Sequence, residues 1–125
     1  MAGQPIAVNG CQLKPVSPAT GTVTVTSVAS SQVLINGKGV FFKEIAFTVA
    51  GSNGGGAITD NNGVGSGKIT ASYDSITDTQ NGVLRKGDKV DNISITGTAS
   101  GQPVTPAPKI SVEITDAGQS DVSAL

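Results

Sequence analysis

Two pairs of closely spaced aspartates are the side chains of this chain that could do acid-base chemistry. Asp74 and Asp78 enclose the segment Ser75-Ile76-Thr77, and Asp88 and Asp91 enclose a Lys-Val pair. Two carboxylates in one site can act as general acid and general base when their surroundings separate their pKa values. Each pair lies at a predicted turn, where Asp side chains commonly accept hydrogen bonds from their own backbone. The pattern therefore favours a structural role for both pairs.

The residues needed for nucleophilic catalysis are missing. The chain contains no histidine, the usual general base at neutral pH. A serine nucleophile, or the single Cys11, would have to be activated by a lysine or a carboxylate, and no such local pattern is present. We therefore predict a non-enzymatic protein without catalytic residues.

A glycine-rich segment at residues 51–67 is the other stretch that could bind a ligand. A phosphate-binding loop needs Gly-Lys-Ser/Thr feeding a helix, whereas Gly67-Lys68-Ile69 feeds a predicted strand. Asp60-Asn61-Asn62-Gly63 is similar to the start of a calcium loop but lacks the glutamate at the twelfth position. Cys11 alone cannot supply the four ligands of a structural zinc. We predict a mobile loop or loose hairpin here and no cofactor or metal; calcium at this loop, or a zinc shared between chains, stays open.

Composition indicates a single all-β domain. The chain has 125 residues, 17 of them glycine, and is rich in Ser, Thr, Val and Ile. No window shows a sustained helical period, so we expect glycine-rich loops and no substantial helix. Only 3% of the residues are aromatic, which predicts a thin aliphatic core. Such a core favours a flat or elongated fold, or one that depends on neighbouring subunits.

Charge and hydropathy exclude several classes of partner. The formal net charge is −1 and the 8 cations are dispersed along the chain, so no basic face for nucleic acid is expected. No apolar run approaches the roughly 20 residues of a membrane span. Residues 1–5 have neither a basic nor an apolar stretch, so we expect synthesis in the cytoplasm without a secretory signal.

A tight hairpin is predicted at Asn36-Gly37, because a two-residue turn of the twisted kind needs positive φ at both positions. It joins predicted strands at residues 32–36 and 39–49. In the second strand, every other residue from Ile45 to Val49 is bulky and apolar, so one face should be buried. We predict that this hairpin forms the core of the fold.

Phe41 and Phe42 are consecutive in that predicted strand, so their side chains should lie on opposite faces. One of them should enter the core. The other is the candidate for contact with another chain, and the alternative is burial in a two-sided sandwich.

The chain divides into two hairpin units with connecting segments. Asn36-Gly37 recurs as Asn81-Gly82, 45 residues later, with similar strands around it. Asn9-Gly10 heads a truncated third copy in this interpretation. The predicted order is an N-terminal edge segment at 1–20, a first hairpin unit at 21–50, the glycine-rich loop at 51–67, a second hairpin unit at 68–98, a proline-rich connector at 99–108, a last strand at 109–115 and a flexible tail at 116–125.

The two repeated stretches, residues 31–38 and 81–88, resemble PAAR-repeat and PAAR-like proteins. In that family a serine-led strand reaches an Asn-Gly turn, and a following short strand ends in Arg-x-Gly-Asp. Arg85-Lys86-Gly87-Asp88 fits that ending. The family caps the trimeric spikes of contractile injection machines such as type VI secretion systems and related phage tails. The resemblance implies a compact wedge of duplicated hairpins; the alternative from the residues alone is a small β-sandwich.

The chain also departs from the family pattern. The Pro-Ala-Ala-Arg tetrapeptide is absent, and Lys43-Glu44 stands where Gly-Asp is expected in the first copy. Typical members close the apex with a zinc held mostly by histidines, and this chain has none. A tip built from it would be held by packing and hydrogen bonds. The competing interpretation is that Asn-Gly turns recur in any meander of hairpins.

The expected function is a structural part of a contractile phage tail or injection apparatus that caps or sharpens a trimeric spike. Its partners would be the spike protein or copies of itself, and the whole particle would act at a target membrane. The alternative is a self-associating virion decoration, surface or adhesive β subunit. A ligand-binding module that uses the loop at residues 54–67 is the third hypothesis.

Overall fold

The computed structural model describes residues 4–71, 73–78 and 81–124. This part of the chain is all-β, as predicted, and its only helical element is a single 3-10 turn at Gly54–Gly56. The strands are β1 (Gln4–Pro5), β2 (Gln12–Pro15), β3 (Thr22–Val25), β4 (Leu34–Ile35), β5 (Lys38–Gly39), β6 (Glu44–Ser52), β7 (Gly63–Thr70), β8 (Tyr73–Asp78), β9 (Asn81–Val83), β10 (Lys89–Ser94), β11 (Thr98–Ala99), β12 (Gln102–Pro103), β13 (Lys109–Asp116) and β14 (Ser123–Ala124).

Two antiparallel three-stranded sheets carry the core. The first has the order β3-β6-β7 and the second the order β2-β13-β10. In both central strands the apolar residues alternate with polar ones, so one face of each sheet is buried. These faces share one hydrophobic cluster, the arrangement of a small β-sandwich. The predicted inward alternation is confirmed for Ile45, Phe47 and Val49 in β6. Ile110, Val112 and Ile114 in β13 are buried in the same way, as are Ile93 and Ile95.

The Asn36-Gly37 turn forms as predicted, with φ of 54° and 78° at its two residues. The hairpin that it closes is short, because β4 and β5 have two residues each. The predicted strand at residues 39–49 is wrong in its first half. Lys43 adopts a φ of 67°, which interrupts the extended backbone before β6 begins. The core strand β6 pairs with β3 and β7, so the Asn-Gly hairpin lies outside the core sheet.

Of the two alternatives predicted for residues 51–67, the mobile loop is wrong, because the second half of the segment is strand β7; the hairpin is confirmed, because β7 pairs with β6. Gly63, Gly65 and Gly67 lie on one face of this strand and approach β10. A Cβ at Gly65 would lie 2.6 Å from the Ser94 carbonyl oxygen and 2.8 Å from Ile95 Cδ1. Only glycine permits this close contact between the sheets. The spacing of two between the glycines was the signal for a strand.

The first half of that segment is also ordered. Asn53 accepts hydrogen bonds from the backbone N–H groups of Thr20 and Gly55, at 2.9 Å each. Ile58 is completely buried in the core. A buried anchor beside a capped 3-10 turn explains why the residues between β6 and β7 do not form a free loop.

The second Asn-Gly pair does not form the predicted turn. β8 and β9 pair with Asp78 opposite Asn81, which places Asn81 and Gly82 inside strand β9. The connection between the two strands falls on residues 79 and 80, which lie outside the described residues. The two Asn-Gly pairs are therefore not equivalent, because register rather than local turn preference decided the second.

The two ends of the chain are joined. The predicted flexible tail at 116–125 is wrong for its described residues, because Ala117 is buried and β14 pairs with β1. The Gln119 side chain donates 2.8 Å hydrogen bonds to the carbonyl oxygens of Ile6 and Val122. In the N-terminal segment, β2 lies at the end of its sheet, whereas Ile6, Ala7 and Val8 are buried.

The predicted connector at 99–108 contains a tight hairpin. β11 and β12 pair across Ser100 and Gly101, whose φ values are 50° and 78°. Proline at the second residue of β12 is compatible with a two-residue strand of this kind. The extended connector is therefore limited to the residues that follow.

Adding one methyl group at Gly65 should destabilise the fold, because β10 leaves no room for it. For Gly65→Ala we expect a loss of about 1–3 kcal/mol in the free energy of unfolding, measured by urea denaturation. Ser66→Ala is the matched control: Ser66 is exposed in the same strand, and its loss should stay within about 0.5 kcal/mol. Equal effects of the two substitutions would contradict the close contact between β7 and β10.

Candidate functional site

The two sides of the sandwich differ in backbone pairing: in the described residues, hydrogen bonds join the two sheets on one side, whereas β2 and β3 lie side by side without pairing on the other. On the first side Val64 and Thr96 exchange backbone hydrogen bonds of 2.9 and 2.8 Å, which join β7 to the end of β10. On the opposite side β3 and β2 are the free ends of the two sheets. A groove of about 740 Å³ is lined by both strands. We call it the β2/β3 groove.

The lining of the β2/β3 groove is more apolar than polar, and its polar residues include Gln12, Lys14 and Thr24. Leu13, Ala19 and Phe41 reach it from the buried core, and Val23 and Val25 contribute half-buried side chains from β3. An apolar groove beside a strand with unpaired backbone groups has the features of a site for strand addition. The arrangement therefore combines unpaired backbone groups with adjacent apolar surface.

The register of β3 shows which backbone groups are free. The Thr26 N–H donates to the Ala46 carbonyl oxygen at 2.9 Å, and Thr24 lies opposite Thr48 in the same register. Hydrogen-bonded and non-hydrogen-bonded pairs alternate along an antiparallel ladder. The N–H and C=O groups of Val23 and Val25 therefore point away from β6, toward the free edge.

The two edges beside the groove differ in their protection. In β2 the Val16 N–H donates to the Ser111 carbonyl oxygen at 2.8 Å, so by the same alternation Pro15 faces the free side. Proline has no N–H to offer, and the exposed Lys14 precedes it. Both are devices that prevent edge-to-edge pairing. β3 lacks them, since the chain has no charged residue from position 15 to position 37.

Cys11 lines the β2/β3 groove but is not a nucleophile there. It is buried, and burial raises the pKa of its thiol to about 11, with a smaller contribution from Asp116. The thiol is therefore protonated at neutral pH, whereas the thiolate is the reactive form. Cys11 acts as a small apolar residue of the core.

The predicted partner contacts Phe41 and Phe42 lie on opposite sides, as expected for consecutive residues. Phe41 is buried in the main core and reaches the groove. Phe42 is half-buried against a second cluster, so the structure corresponds to the alternative of burial on both faces. This cluster consists of Ile6, Val8, Val40 and Val83.

The Asn36-Gly37 turn is held by the C-terminal segment. Asn36 Nδ2 donates to Asp121 Oδ2 at 2.7 Å, and Lys38 Nζ donates to the Gly118 carbonyl oxygen at 3.2 Å. These bonds fix the hairpin tip to a part of the chain about 80 residues away.

The signature residues Arg85, Gly87 and Asp88 form a β-turn. The Asp88 N–H donates to the Arg85 carbonyl oxygen at 3.1 Å. The buried Asp88 carboxylate accepts the Arg85 N–H at 3.1 Å and lies 3.8 Å from Arg85 Nε. Gly87 supplies a φ of 93°, and its N–H donates to Ile114 in β13 at 2.9 Å. Asp88 therefore stabilises the turn from its i+3 position.

The aspartate pairs do not form an acid-base site in the described part of the chain. Asp88 interacts with Arg85, whereas Asp91 accepts a 2.6 Å hydrogen bond from Ser111 Oγ. Asp74 and Asp78 lie in β8, and their side chains are outside the described residues. For Asp88 and Asp91, these partners agree with the structural role that the sequence pattern favoured.

The segment that is similar to a calcium loop uses its carboxylate within the protein. Asp60 Oδ2 accepts hydrogen bonds from Thr98 Oγ1 at 2.6 Å and from the Gly101 N–H at 2.8 Å. Asn62 bonds Thr98 as well, so the segment is tied to the β11-β12 hairpin. The Thr98 hydroxyl, followed by the Gly101 N–H, lowers the pKa of Asp60.

Residues 4–71, 73–78 and 81–124 contain no group of three or more His, Cys, Asp or Glu side chains arranged to hold a metal ion. No helix in the same residues is long and apolar enough to cross a membrane.

Comparisons with protein-family models, with curated proteins and with solved structures found no match for this chain.

The unpaired edge of β3 is a candidate binding site that the sequence analysis did not predict. The alternating residues of β3 are a local feature, but the position of the strand at a sheet end depends on partners elsewhere in the chain. The uncharged run at residues 15–37 was the available signal.

Because the pKa of Asp60 is lowered in the fold, the free energy of unfolding should decrease as the pH falls into the acidic range. The ionised carboxylate stabilises the fold fully above its unfolded-state pKa of about 3.9, and this stabilisation is lost as pH falls through the lower folded-state pKa. We expect Asp60→Asn to lower the melting temperature at neutral pH and to lose that difference well below about pH 3.9. Thermal unfolding followed by circular dichroism at both pH values tests this.

Thr98→Val keeps the Asp60 carboxylate and removes its shortest hydrogen bond, so it should reduce the same acid-side loss of stability. A melting-temperature difference between wild type and Asp60→Asn that is equal at both pH values would contradict the assignment.

Proposed function

We propose that this protein is a non-enzymatic, PAAR-like structural subunit that caps the trimeric spike of a contractile phage tail or injection apparatus. The resemblance at residues 31–38 and 81–88 supports it. The all-β body supports it as well, since a part that works by shape needs regular hydrogen-bonded structure rather than a reactive site.

The observation that carries the proposal is a junction of three chain segments. The backbones of three residue pairs form isolated antiparallel β-bridges: Ile6 with Arg85, Val8 with Val40, and Phe42 with Val83. Each segment adjoins one of the three Asn-Gly pairs, at residues 9, 36 and 81. Three short segments, each beside an Asn-Gly pair, therefore meet around one apolar cluster, and a wedge-shaped part could be built around such a junction.

The junction also offers a way to stabilise a tip without a metal. Its apolar residues Ile6, Val8, Val40 and Val83 are each at most 5% exposed. Fully burying a valine or isoleucine side chain stabilises a fold by about 1.5–3 kcal/mol. The backbone N–H groups of Ala7 and Lys86 add hydrogen bonds of 2.8 Å to Leu84 and Pro5. Packing of this kind would replace the histidine-bound zinc of typical family members.

Native mass measurement tests the proposal directly. The purified full-length protein is measured alone and after mixing with the trimeric spike protein encoded beside it. We expect a complex of one copy per spike trimer. A spike trimer from an unrelated tail is the control and should not bind. Absence of any complex with its own spike would overturn the proposal.

A second candidate is a self-associating decoration or surface subunit, and the uncharged free edge of β3 is the observation that favours it. The number of copies per particle discriminates between the two. A tip is present once per spike, whereas a decoration is present many times.

A further inference from the structure

We propose that two copies of this chain pair through their β3 strands, antiparallel, with Thr24 opposite Thr24 of the second copy. The β3-β6-β7 sheets of the two copies then form one continuous six-stranded sheet. This inference goes beyond capping of a spike and does not require it.

The first argument is the direction of the backbone groups. Val23 and Val25 point their N–H and C=O groups away from β6, and no other strand in the described part of the chain pairs with that edge. With Thr24 at the twofold axis, Val23 lies opposite Val25 of the second copy, and Val25 opposite its Val23. Both are hydrogen-bonded pairs, so the dimer forms four new backbone hydrogen bonds.

The second argument is the match between side chains in this register. On the inner face each Val23 meets a Val25, and on the outer face Thr24 meets itself while Thr22 meets Thr26. Thr-Thr pairs and pairs of β-branched residues are favourable across strands. An antiparallel pair of identical strands brings each residue at the axis against its own copy, so a charge there would repel itself. The absence of charge from residue 15 to residue 37 removes this obstacle.

The third argument is the groove beside the edge. The inner-face valines of the second copy would lie at its mouth, near Leu13, Ala19 and Phe41. They would cover apolar surface that is open in the single chain. Backbone pairing and apolar burial therefore favour the same docking geometry.

The fourth argument is the state of the other three edges of the two core sheets. β2 carries Pro15 and Lys14, and the far edge of β7 is joined to Thr96 through Val64. β10 is irregular between Val90 and Ile93, where its register with β13 shifts. Such an irregularity hinders the addition of another strand to its outer edge. Pairing through β3 alone is isologous and stops at two copies.

Analytical ultracentrifugation of the purified full-length protein over a range of concentrations tests the inference. Wild type should show a concentration-dependent dimer. Thr24→Lys places two like charges at the twofold axis on the exposed face, and should weaken dimerisation at least about tenfold. Thr48→Lys is the matched control: Thr48 is exposed opposite Thr24 in β6, away from the edge, and should leave the dimer intact.

A charge exchange tests the register. Thr24→Asp should also be monomeric by itself, and an equimolar mixture of Thr24→Asp and Thr24→Lys should form a heterodimer. Circular dichroism and urea unfolding of each variant show that it is folded. A folded wild type that stays monomeric, a Thr24→Lys variant that still dimerises, or a mixture that forms no heterodimer would each overturn the proposal.

The outcome is independent of the spike experiment. A wild-type monomer whose spike complex is lost in Thr24→Lys would show that the edge binds the spike, and self-pairing would be overturned. A dimer that binds no spike would support self-pairing and overturn spike capping.

Discussion

The close contact between β7 and β10 is the constraint on which the rest of the sandwich depends. Gly63, Gly65 and Gly67 bring the two sheets together on one side, because no Cβ separates the strand from Ile93 and Ile95. A bridge between Val64 and Thr96 continues this contact. On the opposite side, β2 and β3 are the end strands of the two sheets, and both line the groove.

Long-range contacts of the chain ends give the small protein its rigidity. The C-terminal segment bonds the Asn36 hairpin tip, and Gln119 bonds the backbone of Ile6. Below these contacts lies the cluster of Ile6, Val8, Val40 and Val83. A chain with 3% aromatic residues therefore obtains order from many aliphatic contacts and from the joining of its termini.

Several side chains that could do chemistry are engaged within the fold. The only cysteine is buried and protonated at neutral pH, and the described carboxylates Asp60, Asp88 and Asp91 each bond a partner within the fold. The β3 edge, by contrast, has unpaired backbone N–H and C=O groups and lies in a stretch without charged residues. The spike-capping proposal and the β3 pairing both follow from a body whose interaction groups are backbone and apolar surface.

The sequence by itself determined the class of fold and its local elements. Alternation in Ile45–Val49 and Ile110–Ile114, and the turn at Asn36-Gly37, depend on neighbours within a few residues, so they could be predicted. Tertiary structure decided the rest. Asn81 and Gly82 became strand residues through register, and the C-terminal segment was ordered by a contact 113 positions away. The edge position of β3 likewise depends on which strands pair across the chain, and local patterns carry no information about those pairings.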